Sequence, residues 1–418
     1  MHTDQNHQTP TGQRTGALRR LSPRALASAL AAGTLLLSLA GCQSDTAAER
    51  TAAVQREQRM QSSPNWKDGV FFNVLPEESN VGFTTTLRFF FGGADNREPE
   101  TPPPFLQRTA ADFTQPPASG LRITWLGHST LLLEVDGRRL LLDPIFSKRA
   151  SPFSFAGPAR FHPTPLPKSE ILKMQIDAVL ISHDHYDHLD EETIRWISES
   201  GVRFLVPLGV GAHLQSWGVA ADQITELDWW EEYTIEDLRL VATPARHFSG
   251  RGLTDRDTTL WTSWSILGPQ HRVFFSGDTA LFPGFREIGK RFGPFDLTMM
   301  EVGAYNKDWP DVHMGPEQAV KAHEMVRGEV LLPVHWGTFN LGLHAWTEPI
   351  ERTLVAAEKR GVRALTPRPG ESIEPTDRPG EVVRWWPEVD WRTAESAPVN
   401  STGLAPEDRA DFEEVAAD

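Results

Sequence analysis

The densest chemistry in the chain lies in Ile181-Ser182-His183-Asp184-His185-Tyr186-Asp187-His188-Leu189-Asp190, where three histidines and three aspartates fall together. His183 and His185 stand two apart, so an extended backbone points both to one side. Asp187 and His188 follow once the chain turns. Four such ligands in six residues can serve two metal ions about 3.5–4 Å apart, the spacing that two-metal hydrolysis needs. The run comes straight after the apolar stretch Asp177–Ile181, and strand ends are where functional side chains are mounted. A dinuclear centre needs further ligands, and three candidates share that position. His247 follows Leu240–Thr243, Asp278 follows Val273–Phe275, and His335 follows Val330–Val334. Each alone is more often a satisfied loop residue than a ligand. Together with the first run they form a set of five imidazoles and two carboxylates. The sole cysteine, Cys42, lies far from them, so the metal must be held by nitrogen and oxygen.

The elements that must position these residues are legible as alternating or continuous apolar runs. Strands are predicted at Leu121–Leu126, Thr130–Val135, Arg138–Asp143, Ile176–Ser182, Val202–Val206, Arg239–Thr243, Thr258–Ile266, Arg272–Ser276, Leu297–Val302 and Val330–Val334. Asp136-Gly137 is a hairpin turn. Helices are predicted at Glu191–Ser200, Pro316–Val326 and Glu348–Lys359. Strands come first and then mix with helices, an order that suggests two packed sheets with helices outside, an α/β sandwich. The hydrolase domain spans 65–386, with residues 65–120 as an extension draped over it. Its Phe71, Phe72, Phe89, Phe90 and Phe91 either line an acyl groove or cover the sandwich. Trp229, Trp230, Trp309 and Trp336 stand near strand-end loops and are candidates for shaping a pocket. Residues 387–418 read as a polar, acidic, disordered tail.

Before the domain, Arg14, Arg19, Arg20 and Arg24 precede an apolar stretch, Ala25–Ala40. Residues 1–41 read as an export signal, and Leu39-Ala40-Gly41-Cys42 resembles the lipobox of bacterial lipoproteins. That resemblance implies cleavage before Cys42, lipidation of Cys42, and anchoring to the cell envelope, on the outer membrane if the cell has one. Residues 42–64 read as a flexible tether. The net charge of −15 argues against nucleic acid as a partner. Nothing in the sequence sets the oligomeric state.

The pattern His183-x-His185-x-Asp187-His188, then His247, Asp278 and His335, resembles the metallo-β-lactamase fold superfamily. Thr124-Trp-Leu-Gly-His-Ser-Thr130, Leu142-Asp-Pro-Ile145, Ser276-Gly-Asp-Thr279 and His335-Trp-Gly-Thr338 are similar to the branch of N-acylphosphatidylethanolamine-hydrolysing phospholipase D, with ascorbate-6-phosphate lactonase-like proteins nearby. The resemblance implies an αββα sandwich and two divalent ions, zinc foremost, with iron or manganese as alternatives. By position, His183, His185 and His247 hold one ion, Asp187, His188 and His335 the other, and Asp278 bridges. A hydroxide bridging the ions then attacks phosphorus or a carbonyl carbon, and Asp187 passes a proton to the leaving group. Asp184, Asp190 and Thr279 are expected to orient the ligands and His128 to support the site. His313 either contacts the substrate phosphate, as the resemblance implies, or is a surface loop histidine. His344 is expected at the pocket edge or surface. The implied substrate is an N-acylphosphatidylethanolamine-like phospholipid. A lactone or other carbonyl ester is the second reading, and a metal-binding lipoprotein without turnover the third.

Overall fold

A computed structural model describes residues 47–78, 85, 92, 94–375 and 382–408. Asp68 and Gly69, both with positive φ, turn β1 (Trp66–Lys67) back onto β2 (Val70–Phe71) as a small antiparallel ribbon. The remaining strands build two seven-stranded sheets. The first is assembled from β3 (Leu121–Trp125), β4 (Leu131–Val135), β5 (Arg138–Leu142), β6 (Ala178–Leu180), β7 (Arg203–Pro207) and β8 (Ile224–Leu227). The second takes β9 (Glu232–Ile235), β10 (Leu238–Thr243), β11 (Ser263–Leu267), β12 (Arg272–Phe275), β13 (Leu297–Glu301), β14 (Val330–Val334) and β15 (Arg363–Ala364). The chain then returns as β16 (Ser372–Ile373) to close the edge of the first sheet beside β3.

Strand β4 shows how the layers are made. Leu131, Leu133 and Val135 face the second sheet, in one core with Leu240, Ile266, Phe275 and Met299. Leu132 points the other way, into a cluster with Ile194 and Ile197 of the helix Glu191–Ser198. Period-two alternation with both faces apolar is what a sheet covered on both sides requires. On the second sheet the outer cover is Phe285 and Ile288 of the helix Gly284–Phe292, Ala319 and Val320 of Pro316–Met325, and Ile350 and Leu354 of Glu348–Arg360. The expected αββα sandwich is the fold.

Two expectations at the chain ends need correction. Residues 47–62 of the anticipated tether form a docked helix, Ala47–Ser62. Arg56 donates to Glu226 Oε2 at 2.7 Å and to Gln215 Oε1 at 2.8 Å. Met60 is buried with Phe71, Leu208, Trp229 and Trp261. Ala, Arg, Glu and Gln are strong helix formers, and with Arg59 donating to the Glu226 carbonyl and pairing with Glu231, these arginine contacts and the Met60 anchor seat a polar helix. At the other end, residues 388–408 are packed rather than disordered. Val399 and Leu404 are buried, Arg392 donates to Glu348, and Asp408 pairs with Arg286. The lipobox with Cys42, Phe89, Phe90, Phe91 and the tail beyond 408 lie outside the described residues. Within those residues no helix is long and apolar enough to cross a membrane.

Candidate metal centre

The ligand candidates emerge from the carboxyl ends of strands that run alike within each sheet. His128 follows β3, Asp143 follows β5 and His183 follows β6. His247, Asp278 and His335 follow β10, β12 and β14, and Glu301 ends β13. The sheets are tied beneath them: Trp264 Nε1 donates to the Ile181 carbonyl at 3.1 Å, and the Thr262 N–H donates to the Ser182 carbonyl at 2.9 Å. Gly277 makes the crossing close enough. Its φ is +56°, and a Cβ there would stand 2.6 Å from Ser182 Cβ, so only glycine lets Asp278 approach the histidine run.

All seven predicted ligands meet. His185 Nδ1 lies 2.8 Å from His183 Nε2 and 3.2 Å from His247 Nε2, three nitrogens converging on one point. Asp187 Oδ2 lies 3.3 Å from His335 Nε2 and 3.5 Å from His188 Nε2. Asp278 Oδ2 sits between the two groups, 3.1 Å from His335 Nε2, 3.2 Å from His188 Nε2, and 3.9 Å from both His183 Nε2 and His247 Nε2.

The outer nitrogens fix the ring orientations. His188 Nδ1–H donates to Asp143 Oδ2 at 2.7 Å. His183 Nδ1–H donates to Ser182 Oγ at 2.9 Å, and that hydroxyl donates to Asp143 Oδ2 at 2.5 Å. One buried carboxylate thus orients two inward-facing imidazoles. His247 Nδ1–H donates to the Val312 carbonyl at 2.6 Å, while Asn73 clasps the His247 backbone through its N–H and its carbonyl. In each ring Nε2 is left free to face the centre, the arrangement that metal-binding histidines show. His188 Nε2 and Asp278 Oδ1 are buried with no hydrogen-bond partner among the described residues. Buried polar atoms are rarely left so, and an all-nitrogen-and-oxygen donor set suits a divalent cation. The residues fit a metal centre.

Electrostatics agree with the geometry. Burial pushes the Asp278 carboxyl up, but the His188 and His335 imidazoles outweigh it and hold the group well below the usual carboxylate range. Asp187 behaves alike, with His188 and His128 overcoming its burial. Burial, reinforced by neighbouring imidazoles, keeps His183 and His247 well below the ordinary histidine value, so both are neutral and available as ligands. Burial lowers His335, yet Asp278 and Asp187 carry it to about 10.

The supporting residues divide as follows. His128 Nε2–H donates to Asp187 Oδ2 at 2.9 Å, the supporting place expected of it. Asp184 accepts from the Gly250 N–H and from Thr259 Oγ1, and Asp190 accepts from the Phe146 and Ser147 N–H groups. Both brace loops rather than ligands. Thr279 Oγ1 accepts the Arg246 N–H at 2.9 Å, next to His247. His313 is no surface residue: its ring centroid lies 5.0 Å from that of His247 and 5.4 Å from that of His335. Its Nδ1 contacts Glu301 Oε2 at 2.8 Å. Glu301 is fully buried, accepts the Thr279 and Met314 N–H groups, and was missed from the sequence. Its signal was the one used elsewhere, an ionisable residue closing an apolar strand. His344 is buried, stacked on Tyr305 and accepting the Ala304 N–H, and it lines a cleft with His335, Trp336 and Phe339. Trp336 stacks on both Trp125 and Trp385 in a three-ring cluster, and Trp229 packs in the Phe71 cluster. Trp230 lies under Arg291 and Trp309 donates to the Ala304 carbonyl. Phe71 is core and Phe72 is exposed.

Asp311, two residues before His313, is a knot. It accepts the Glu78 N–H from the N-terminal extension, the Thr402 N–H and hydroxyl from the C-terminal segment, and pairs with Arg246 at 3.0 Å.

Residues 138–336 match the family model described as the beta-lactamase superfamily domain. An uncharacterized protein of Mycobacterium tuberculosis is 45% identical over 381 residues, 88% of this chain and 99% of that one. N-acyl-phosphatidylethanolamine-hydrolyzing phospholipase D 1 of Caenorhabditis elegans is 37% identical over 246 residues, 56% of this chain and 68% of that one. The mitochondrial N-acyl-phosphatidylethanolamine-hydrolyzing phospholipase D of Saccharomyces cerevisiae is 34% identical over 57% of this chain and 52% of its own length. The chain belongs to the metallo-β-lactamase superfamily and is a metal-dependent hydrolase. Within it, the chain falls in the branch similar to those phospholipases.

Proposed function

We propose that the protein is a dinuclear phosphodiesterase of phospholipase D type, acting on N-acylphosphatidylethanolamine-like phospholipids. The observation that carries the dinuclear part is the placement of Asp278 Oδ2 between two ligand groups, within 3.9 Å of four inward-facing imidazole nitrogens. The similarity to the worm and yeast phospholipases supports the substrate class. His183, His185 and His247 would hold one ion and Asp187, His188 and His335 the other, with Asp278 within reach of both groups. Two bound divalent cations, zinc by donor type, supply an activated water and neutralise charge developing on the phosphoryl oxygens.

The chain's own residues do the rest. Asp143 and Ser182 hold two imidazoles in the tautomer that faces inward. His128 holds Asp187 by its Oδ2, and the Asp187 carboxylate, with a side chain 15% exposed, would accept the proton released by the attacking water and hand it to the leaving-group oxygen. Glu301 keeps His313 over Asp278, where it can meet a substrate phosphate.

The test runs bis(p-nitrophenyl) phosphate, N-acylphosphatidylethanolamine and a simple lactone in parallel on zinc-loaded protein. Phosphodiester turnover with release of phosphatidic acid from the lipid is expected. Lactone hydrolysis alone would overturn the phosphodiesterase reading in favour of a carbonyl ester hydrolase. Asp278→Ala should lose turnover by several orders of magnitude together with bound metal; a fully active variant refutes the bridging role.

A further inference from the structure

Between Asp143 and Glu170 the chain carries Lys148, Arg149, Arg160 and Lys168 and no acidic residue, in a protein of net charge −15. Part of this stretch is an antiparallel ribbon. Arg149 bridges Ala159, the Ala150 N–H donates to the Pro158 carbonyl, and the Arg160 N–H donates to the Lys148 carbonyl. Its tip, Pro152-Phe153-Ser154-Phe155, is exposed throughout. Phe153 is 55% and Phe155 80% exposed, and their rings meet at 5.6 Å. Single exposed apolar residues need no explanation; two adjacent phenylalanines held out on a ribbon, with cations at its base, do.

Both roots of the ribbon belong to the metal centre. One is Asp143, the residue that orients His188. At the other, the Phe161 N–H donates to the Thr338 carbonyl, three residues past His335. Arg160 donates to the Ile145 carbonyl at 3.0 Å and so closes the base. The exposed tip is therefore carried on a short braced stem whose ends adjoin residues flanking the metal ligands.

We propose that the 148–160 ribbon seats in an anionic phospholipid surface, with Phe153 and Phe155 at the acyl boundary and Lys148 against the lipid phosphates. Aromatic side chains beside cations are the chemistry of an interfacial anchor, and a juxtaposed lysine gains from a negatively charged leaflet. A protein partner is disfavoured by the small tip, and a nucleic acid because the tip offers two apolar rings and, of the ribbon's cations, only Lys148 is exposed. The inference stands whether the centre cleaves a phosphodiester or a carbonyl ester.

Because Cys42 is the sole cysteine, a reporter can be placed locally. The full chain with Cys42→Ser and Ser154→Cys, labelled with an environment-sensitive fluorophore, is mixed with vesicles of phosphatidylcholine alone or with added phosphatidylglycerol. A blue shift is expected with phosphatidylglycerol vesicles, weakened by salt and reduced by Lys148→Glu. Phe153→Ser with Phe155→Ser should weaken vesicle binding of the tip roughly tenfold or more, with the melting temperature unchanged. The reading is overturned by no shift, by an equal shift with the serine variant, or by Phe153-dependent dimerisation in analytical ultracentrifugation that accounts for the burial. A reporter at 154 senses the ribbon itself, so any other membrane attachment of the chain does not mimic the result.

Discussion

Asp143 has a positive φ of 37°, and no metal-ligand pattern marks it in the sequence, yet it sets the direction of two imidazoles. Replacing it with Asn keeps the shape but removes the charge that receives the His188 proton and the Ser182 hydroxyl. Outer partners of metal-binding histidines are worth about 10–100-fold in affinity. Asp143→Asn should therefore lower metal affinity by about that factor in chelator competition, with the circular dichroism spectrum unchanged; full affinity would show that the relay does not matter. The ligands were readable because each is an ionisable residue closing an apolar strand. Asp143 stands in the same position, but an aspartate after a strand is also an ordinary turn residue. Glu301 and the His313 contact needed the third dimension, since twelve residues and a loop separate them.

At the scale of elements, the strands that carry ligands were found within about two residues, because both their faces are apolar. Those that were missed, β1, β2, β8, β9, β15 and β16, are short and form either the two-stranded ribbon or the edges of the large sheets, where periodicity has few residues to show in. The strand expected at Thr258–Ile266 begins only at Ser263. Its first residues serve instead as loop contacts: the Leu260 N–H donates to the Leu208 carbonyl. The helix Ala47–Ser62 was lost to composition alone. Its seating depends on Arg56, 9% exposed, and removing one partner of a largely buried ion pair costs roughly 3 kcal/mol. Arg56→Ala should lower the urea midpoint accordingly, and an unchanged midpoint would mean the helix contributes nothing to the fold. Gly277→Ala tests the joint between sheets: strain at a positive φ costs about 1–3 kcal/mol, and the clash with Ser182 adds displacement of the histidine run. Loss of metal affinity greater than the loss of stability is the expected signature.

For the whole molecule, the two-sheet architecture is legible from strand order, whereas polar composition hides the pairing of residues 47–62 and 388–408, which the sequence presents as loose. Acid response is also a global property. Burial lowers His162 to about 3 and His323 and His344 to about 4. Their folded values lie below the unfolded one, so the unfolded chain takes up protons first as pH falls through 6.5. Stability is then full above pH 7 and is lost progressively between about 6.5 and 4, and down to about 3 for His162, each group contributing on the order of 3–5 kcal/mol. Denaturation midpoints between pH 8 and 4 should fall over that window, and His323→Gln should flatten the slope; a constant midpoint from pH 7 to 5 would contradict the assignment.

The knot at Asp311 bears on timing. Its carboxylate is fully buried and is satisfied by residues 78 and 402, at opposite ends of the chain. During synthesis, the Asp311 carboxylate gains its Thr402 partners only once residue 402 has been made, long after the ligand run 183–188. The site is thus braced by chain made well after its ligands, and a copy cut before residue 402 would carry the ligands yet leave Asp311 held by Arg246 and the Glu78 N–H alone.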